Sequence, residues 1–174
     1  MEIQGIHLGL RFVEQEDAEF ILDLRMKKGK YLSATSNDVD KQKIWIEEYK
    51  KREKENSEFY FIIFDKLKEE RVGVVRLYNF IDDSFEWGSW IIKEGASQYS
   101  ALESALLIYE YAFFQKKFNQ SHFEVRKENL KVISFHEKFG AKKIKESEID
   151  NYYIYALENY LEFRKKYLGK YINF

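Results

Sequence analysis

The feature that most constrains the fold is an abrupt change of periodicity between residues 85 and 113. Residues 85–92 form a short aromatic and β-branched run, which predicts a strand. From Ala101 onward the apolar residues recur at helical spacing, which predicts an amphipathic helix. A small polar loop, residues 95–100, joins the two. Such a turn from strand to helix points free backbone N–H groups at the loop, where the helix dipole favours phosphate or pyrophosphate.

A second unit of the same kind follows directly. Residues 122–126 alternate between polar and apolar side chains, which predicts a strand with two different faces. Asn129 can cap the next helix and Gly140 can end it. The inner stripe of that helix is Val132, Ile133, His136 and Phe139.

These two units resemble the acetyl-CoA-binding core of the GCN5-related N-acetyltransferases (the GNAT superfamily), and within it the ribosomal-protein-acetyltransferase-like branch. The resemblance covers about residues 6–157 and rests on the segments EWGSWII, ALESALLIYEYAF and ENLKVISFHEKFGAKKI. It implies an α/β (α+β) GNAT fold, with a mixed, mostly antiparallel sheet of about seven strands flanked by about four helices. In that fold the fourth and fifth strands splay around acetyl-CoA.

The rest of the pattern predicts elements on both sides of these units. Strands are predicted at residues 6–13, 59–64 and 72–78, with helices from Glu16 and over about residues 40–55. A closing hairpin is predicted at residues 142–147 and 152–157, and the turn-rich string SATSND, residues 33–38, predicts a loop. No linker or repeat interrupts the chain, so we expect a single N-acetyltransferase domain over residues 1–174, with residues 157–174 as a C-terminal helical extension.

Composition argues against several other classes of protein. The absence of Cys removes thiolate nucleophiles and Cys-ligated metals, and three scattered His residues do not form a zinc pattern. A formal charge of -1 argues against a nucleic-acid-coating protein. No charge-free apolar run approaches the roughly 18 residues of a membrane span, and the first ten residues lack a signal-peptide pattern. We expect a cytoplasmic monomer or homodimer without metal, nucleic-acid or membrane partners.

The resemblance implies direct transfer of an acetyl group from acetyl-CoA to a primary amine, without a covalent intermediate. The reaction needs a proton acceptor for the amine, N–H donors for the oxyanion, and an acid for the departing thiolate. Glu86, a carboxylate in an otherwise aromatic strand, is the candidate base, with a structural carboxylate as the equal alternative. His136 stands where many relatives carry a Tyr that protonates the thiolate; the alternative is a core histidine.

Cofactor contacts are predicted by family position at three places. Backbone donors lie near a bulge in the fourth strand, at Ser89, Trp90 and Ile91, and without that bulge Trp90 would share a face with Glu86 and Gly88. Asn129 is expected to cap its helix and also to hydrogen-bond the cofactor. The third place is the phosphate loop, where the predicted residues are Gln98, Tyr99, Ser100 and Ala101.

This phosphate loop departs from the pattern of the relatives. They carry an Arg/Gln-x-x-Gly-x-Gly/Ala motif, whereas this chain has Ser97 and Tyr99 at the two glycine positions. The backbone N–H groups of residues 98–102 can still serve if Tyr99 turns its ring outward.

Four residues are candidates for binding the acceptor: Trp45, Tyr49, Arg76 and Tyr78. Aromatic rings with an arginine suit stacking on a ring and pairing with an anionic group, and simple core packing is the alternative. The first functional hypothesis is therefore an N-acetyltransferase for a small-molecule amine or a nucleotide-linked amino sugar. The second is a protein N-terminal acetyltransferase, and the third is a non-catalytic ligand-binding module with the same fold.

Overall fold

The apolar runs along the chain pair into one mixed sheet. The computed structural model describes residues 1–28 and 37–173. The strands within them are β1 (Ile3–Gln4), β2 (Leu8–Phe12), β3 (Phe59–Asp65), β4 (Glu70–Ile81), β5 (Ser84–Ile92), β6 (Gln120–Arg126), β7 (Lys142–Glu146) and β8 (Asp150–Ala156). The helices are α1 (Ala18–Lys28), α2 (Val39–Lys54), α3 (Ser100–Glu110), α4 (Leu130–Phe139) and α5 (Leu157–Arg164).

The strands lie in the order β1-β2-β3-β4-β5-β6-β8-β7. Every neighbouring pair among them is antiparallel except β5 and β6, which run parallel. This mixed, mostly antiparallel sheet with helices on both faces confirms the predicted GNAT architecture. The strand beyond the expected seven is the two-residue β1. The predicted helical extension over residues 157–174 is helical only as far as Arg164, and residues 165–173 form turns with an isolated bridge between Leu168 and Ile172.

Helices cover both faces of the sheet, and β3 shows why. Its side chains alternate between two cores: Tyr60 and Ile62 pack with α1 and α2, whereas Phe61 and Ile63 pack with α3. A strand that is buried on both faces reads as a continuous apolar run, and FYFIIF is such a run. The rings of residues 59–61 therefore build the core, not a pocket wall.

The parallel pair β5–β6 is short, and this creates the main cleft of the molecule. Only two residue pairs are in register, Ser84 with Gln120 and Phe85 with Ser121. Beyond them the two strands separate, as predicted for the fourth and fifth strands of the resembled fold. The chain enters β6 after α3 and a π-helical turn at Tyr111–Gln115, which the periodicity did not predict.

Most other boundaries differ from the sequence-based prediction by one or two residues, and those of β4 and α1 have a visible local cause. Strand β4 extends to Ile81, three residues beyond the predicted end, because a tight turn with Asp82 in the left-handed region leads directly into β5. A 3-10 turn at Gln15–Asp17 precedes α1. The predicted loop SATSND lies outside the described residues as far as residue 36; its last residue, Asp38, caps α2 by accepting hydrogen bonds from the backbone of Asp40 and Lys41.

Helix α5 docks on α3 through a buried polar network. The carboxylate of Glu110 is 2% exposed and accepts hydrogen bonds from Tyr160 Oη at 2.6 Å and from Arg164 Nε at 2.6 Å. Arg164 Nη2 reaches the second oxygen of Glu110 at 3.1 Å, so the pair is bidentate. This contact attaches the C-terminal extension to the body of the domain.

We expect Arg164→Met to lower the free energy of unfolding by about 3 kcal/mol, because it leaves the buried carboxylate of Glu110 without its counter-charge. Lys165→Met is the matched control, since Lys165 pairs with Glu162 on the surface and such pairs contribute well under about 1 kcal/mol. Urea unfolding at pH 7 measures both variants. Equal losses for the two would show that the buried pair does not hold α5 in place.

Candidate active site

The separation of β5 from β6 opens a cleft with a volume of about 440 Å³. Strands β4, β5, β6 and β8 form its walls, and α4 closes one side. Its lining consists of Tyr78, residues 86–91, residues 123–126, Asn129, Val132, His136 and Asp150. Of the predicted site residues, the cleft therefore brings together Tyr78, Glu86, Ser89, Trp90, Ile91, Asn129 and His136.

A β-bulge lies at the point where β5 borders the cleft. Gly88 pairs with Arg76 and Ile91 with Val74, so β5 advances three residues while β4 advances two. Within this segment Ser89 has a φ of 45°, in the left-handed region that non-glycine residues seldom adopt. The bulge resets the alternation of β5. Trp90 therefore does not share a face with Glu86, and its ring contacts Trp87 at 5.3 Å between centroids.

Two indole rings fasten this bulge to α3. Trp90 Nε1 donates to Ser104 Oγ at 3.1 Å, and Trp87 Nε1 donates to Tyr109 Oη at 3.0 Å. Both acceptors lie on α3, so the bulged segment is held from one side while its other side faces the cleft. A bulge interrupts the ladder of backbone hydrogen bonds and so leaves a residue unpaired. Backbone groups near Ser89 are therefore placed where a ligand can meet them.

His136 is a wall residue of the cleft with an unsatisfied nitrogen. Its Nδ1 is buried and has no hydrogen-bond partner among the described residues. Its ring lies 4.3 Å from the ring of Phe123 and 5.3 Å from that of Trp87. Burial in this aromatic setting lowers the pKa of His136 from 6.5 to about 3. The imidazole is therefore neutral near pH 7, which leaves it a single N–H to donate.

Asn129 occupies the N-cap of α4, but its side chain does not cap the helix. The backbone carbonyl of Asn129 accepts from the N–H groups of Val132 and Ile133, both at 3.1 Å, and no side-chain cap is formed. The predicted capping bond is thus wrong. Asn129 is one of the residues that line the cleft.

Glu86 sits on β5 with two donors on its carboxylate. Tyr78 Oη donates to one oxygen at 3.0 Å and Asn79 Nδ2 to the other at 2.9 Å. Tyr78 can lie across β5 because residue 88 is glycine; a Cβ there would come within 2.9 Å of Tyr78 Oη. Burial and the neighbouring Glu86 raise the pKa of Tyr78 above its ordinary value, so the phenol remains protonated as a donor.

Sequence reasoning missed a second carboxylate, Glu124 on β6. It lines the same cleft, and no hydrogen bond or ion pair holds it within the described residues. Partial burial, followed by the nearby charges of Asp150 and Glu86, raises the pKa of Glu124. Arg126, two residues along the strand, pairs with Asp150 at 3.5 Å. The alternation of residues 122–126 was the available signal, because it places Glu124 and Arg126 on one face.

The predicted phosphate-loop residues lie at the N-terminus of α3 and do not line the cleft. The ring of Tyr99 stacks on His7 at 4.3 Å, and its hydroxyl donates to Asp65 Oδ2 at 2.7 Å. The ring is thereby held against the end of β3. Tyr99 is also the N-cap residue, and no side chain caps the helix there. Gln98 is exposed, Ser100 is buried and Ala101 is half-buried.

The four predicted acceptor residues divide between core and surface. Tyr49 is fully buried and its hydroxyl donates to Glu53 and to the carbonyl of Tyr60, so it is a core residue and the prediction that it lines an acceptor pocket is wrong. The other three form one stack, in which the Arg76 guanidinium lies 4.6 Å from the Tyr78 ring and 5.4 Å from the Trp45 ring.

The described residues contain no cluster of three or more His, Cys, Asp or Glu side chains that could hold a metal ion. Among the described helices, none has both the length and the apolar character needed to cross a bilayer.

Comparison with known proteins gives the same family from sequence and from structure. The family model described as acetyltransferase (GNAT) domain matches residues 7–142. The solved structure of FdhC, described as a nucleotide-linked sugar GNAT, superposes with a TM-score of 0.89 and 46% identity, covering 96% of each chain. A mutant of the spermidine N-acetyltransferase SpeG from Vibrio cholerae superposes with a TM-score of 0.72 at 20% identity. It covers 89% of this chain and 96% of that one, and at this identity it shows the fold alone.

Among curated proteins, none matches the sequence significantly. The ribosomal-protein-acetyltransferase-like branch stays a prediction, because the matched family model covers the acetyltransferase domain in general.

The lowered pKa of His136 predicts a specific dependence of stability on pH. Below about pH 6.5 the unfolded chain gains a proton at this residue that the folded protein excludes, so stability is lost as the pH falls. We expect the free energy of unfolding to drop between pH 7.5 and 5.5 by about 1 kcal/mol more in the wild type than in His136→Phe. Urea titrations at both pH values measure the difference. Identical drops in the two proteins would mean that folding does not lower the pKa of His136.

Proposed function

The chain belongs to the GNAT acetyltransferase family and is an N-acetyltransferase; from this premise we propose that it acetylates the amino group of a nucleotide-linked amino sugar, with acetyl-CoA as the donor. The observation that carries the proposal is the 46% identity to a nucleotide-linked sugar GNAT across 96% of both chains. The polarity of the acceptor side supports it, since an arginine at one end and carboxylates at the other suit a molecule with both an anion and an amine.

The residues present fit acetyl-CoA on three observations. The cleft lies between separated parallel strands, a bulge at Ser89 offers backbone groups to it, and His136, whose buried Nδ1 has no hydrogen-bond partner among the described residues, lines it. Acetyl-CoA supplies an acetyl group that is activated as a thioester. We assign the backbone of Ser89, Trp90 and Ile91 to the acetyl carbonyl. The uncapped N-terminus of α3, at Gln98, Tyr99, Ser100 and Ala101, is assigned to the pyrophosphate.

Two further side chains complete this donor site in the proposal. Asn129 contributes its amide, which the helix does not use for capping. His136 contributes an N–H from a neutral ring, donated toward the departing thiolate. Because the ring is neutral near pH 7, its help is that of a hydrogen-bond donor, and we place its contribution at the low end for acid catalysis, ~10²-fold.

Two carboxylates receive the acceptor amine, which arrives as a cation and must lose a proton before it can attack. Glu86 is held in place by Tyr78 and Asn79, and Glu124 is free of such contacts among the described residues. We assign proton acceptance to Glu86, directly or through a water, and initial attraction of the ammonium to Glu124. The negative charge of both groups raises the local concentration of the amine.

A protein N-terminus remains the alternative acceptor, because it is also an amine and the same carboxylates suit it. A protein N-terminus carries no diphosphate that the stacked Arg76 could bind, and for that reason we propose the nucleotide-linked sugar as the acceptor. The cytoplasmic location and the choice between monomer and homodimer stay predictions.

A coupled assay for release of free CoA tests the function. We expect the highest kcat/KM with a nucleotide-linked amino sugar, lower values with the free amino sugar, and the lowest values with spermidine and short peptides. The diphosphate-bearing acceptor should exceed the free sugar by at least tenfold, since charge-assisted hydrogen bonds contribute about 1.5–3 kcal/mol. A ranking led by spermidine or by peptides would refute the proposed acceptor.

The roles of the two carboxylates predict different kinetic defects. Glu86→Gln removes the proton acceptor and should lower kcat/KM for the amine by roughly 10²–10⁴, chiefly through kcat, with acetyl-CoA affinity unchanged. Glu124→Gln removes a charge that attracts the amine and should raise KM about tenfold with a smaller change in kcat. Steady-state kinetics on folded protein, checked by thermal melting, distinguishes them. The reverse pattern of defects would indicate that Glu124, and not Glu86, accepts the proton of the amine.

A further inference from the structure

We propose that Arg52 and Arg76, fixed by the buried Glu58, form a subsite that binds the diphosphate of the acceptor. The inference rests on the proposed function and extends it from the class of acceptor to the residues that select it. Nothing in the catalytic chemistry requires these arginines; their placement and their unused donors point to a ligand.

The pair is organised around one carboxylate. Glu58 is 4% exposed, accepts from Arg52 Nε at 2.7 Å through one oxygen, and accepts from Arg76 Nε at 2.6 Å through the other. Each arginine therefore uses its Nε for a hydrogen bond to Glu58. Within the described residues, the terminal Nη nitrogens of both side chains have no hydrogen-bond partner.

The charges of this group do not cancel. Two guanidinium groups face one carboxylate, which leaves one net positive charge, and the two side chains are 35% and 25% exposed. Both guanidinium carbons lie 5.4 Å from the centroid of the Trp45 ring, within the distance of a cation–π contact. Arginine donors arranged in this way suit the bidentate binding of phosphate oxygens.

The position of the pair relative to the carboxylates matches an acceptor with two charged ends. Arg76 stacks on Tyr78, and Tyr78 donates to Glu86. Arg76 and Tyr78 are two residues apart on β4, about 6.6 Å, and Glu86 lies one strand away, about 4.8 Å. The cationic subsite thus lies on the order of 10 Å from the proposed proton acceptor. A nucleotide-linked amino sugar carries its diphosphate on the sugar that bears the amine.

A second arginine pair in the molecule binds a buried carboxylate away from the cleft and provides a comparison. Asp17 is fully buried and is bound by Arg11 and Arg71, so this group also consists of two arginines and one buried carboxylate. Arg11 donates to Asp17 through both Nη nitrogens, and its Nη1 also donates to the backbone carbonyl of Phe12. Arg71 donates to Asp17 through Nη1. Arg71 also lies over an aromatic ring, that of Phe20 at 4.8 Å. Arg71→Gln is therefore a matched control for loss of an arginine beside a buried carboxylate and a ring.

The kinetic test compares two acceptors that differ only in the diphosphate. For wild type, Arg52→Gln, Arg76→Gln and Arg71→Gln, kcat/KM is measured with a nucleotide-linked amino sugar and with the same amino sugar free. We expect the ratio of the two values to fall 10- to 100-fold in Arg52→Gln and Arg76→Gln, chiefly through KM, and to stay within twofold of wild type in Arg71→Gln. A structural role would lower both values together and leave the ratio unchanged, which would overturn the proposal.

A binding test separates this inference from the proposed function. Calorimetry with UDP, and with uridine as the ligand lacking phosphate, requires no turnover. We expect UDP to bind wild type and Arg71→Gln, to bind Arg52→Gln and Arg76→Gln at least tenfold more weakly, and uridine to bind none of them measurably. If spermidine or peptides prove to be the acceptors, the proposed function fails while this UDP pattern still supports the subsite. If UDP binds all four proteins equally, or none, the subsite is wrong even where the amino sugar is acetylated.

Discussion

The brevity of the pairing between β5 and β6 is the constraint on which the rest of the site depends. Two residue pairs hold these parallel strands together, and beyond them the facing backbone groups of each strand have no neighbour in the sheet. Unpaired backbone groups that are shielded from water are costly, so such a gap persists only where something else satisfies them. Here α3 holds β5 in place at the bulge, because Trp87 and Trp90 donate hydrogen bonds to Tyr109 and Ser104 of α3. Trp87 and Trp90 thus belong to the aromatic core and also line the cleft.

The acceptor side of the sheet separates charge across neighbouring strands. Arg52 and Arg76 lie on α2 and β4, and the ring of Tyr78 lies between Arg76 and Glu86 of β5. The other two carboxylates of the cleft are Glu124 on β6 and Asp150 on β8, and Asp150 pairs with Arg126. Arg52 and Arg76 each pair with Glu58 through Nε, and their Nη groups have no hydrogen-bond partner among the described residues. Under the proposed function this arrangement would discriminate by charge pattern, since a purely cationic acceptor meets one repulsive end while an acceptor with both charges meets two attractive ends.

Local patterns predicted the elements well because periodicity reports which face of a strand or helix is buried. The strand-to-helix switch at residues 85–113, the alternation of residues 122–126 and the αL glycine at Gly140 all appear in the structure. The failures are of another kind. The burial of Tyr49, the free side chain of Asn129 and the role of Glu124 depend on contacts with distant parts of the chain. The spacing of apolar residues along a helix does not show whether an aromatic side chain is buried against a strand or lines a pocket.

The contacts around His7 also govern how the protein can fold. Glu103 accepts from the backbone of His7 and Leu8, Tyr99 stacks on His7, and the N–H of Ile6 donates to the carbonyl of Tyr171. The side chain of Glu103 thus contacts residues that precede it by 96 and 95 positions in the sequence. Such distant contacts are slow to form because loop closure precedes any gain from them. On a ribosome, the start of α3 can acquire its final surroundings only after residue 171 has emerged, so the end of α3 that is proposed to bind pyrophosphate is completed late in synthesis.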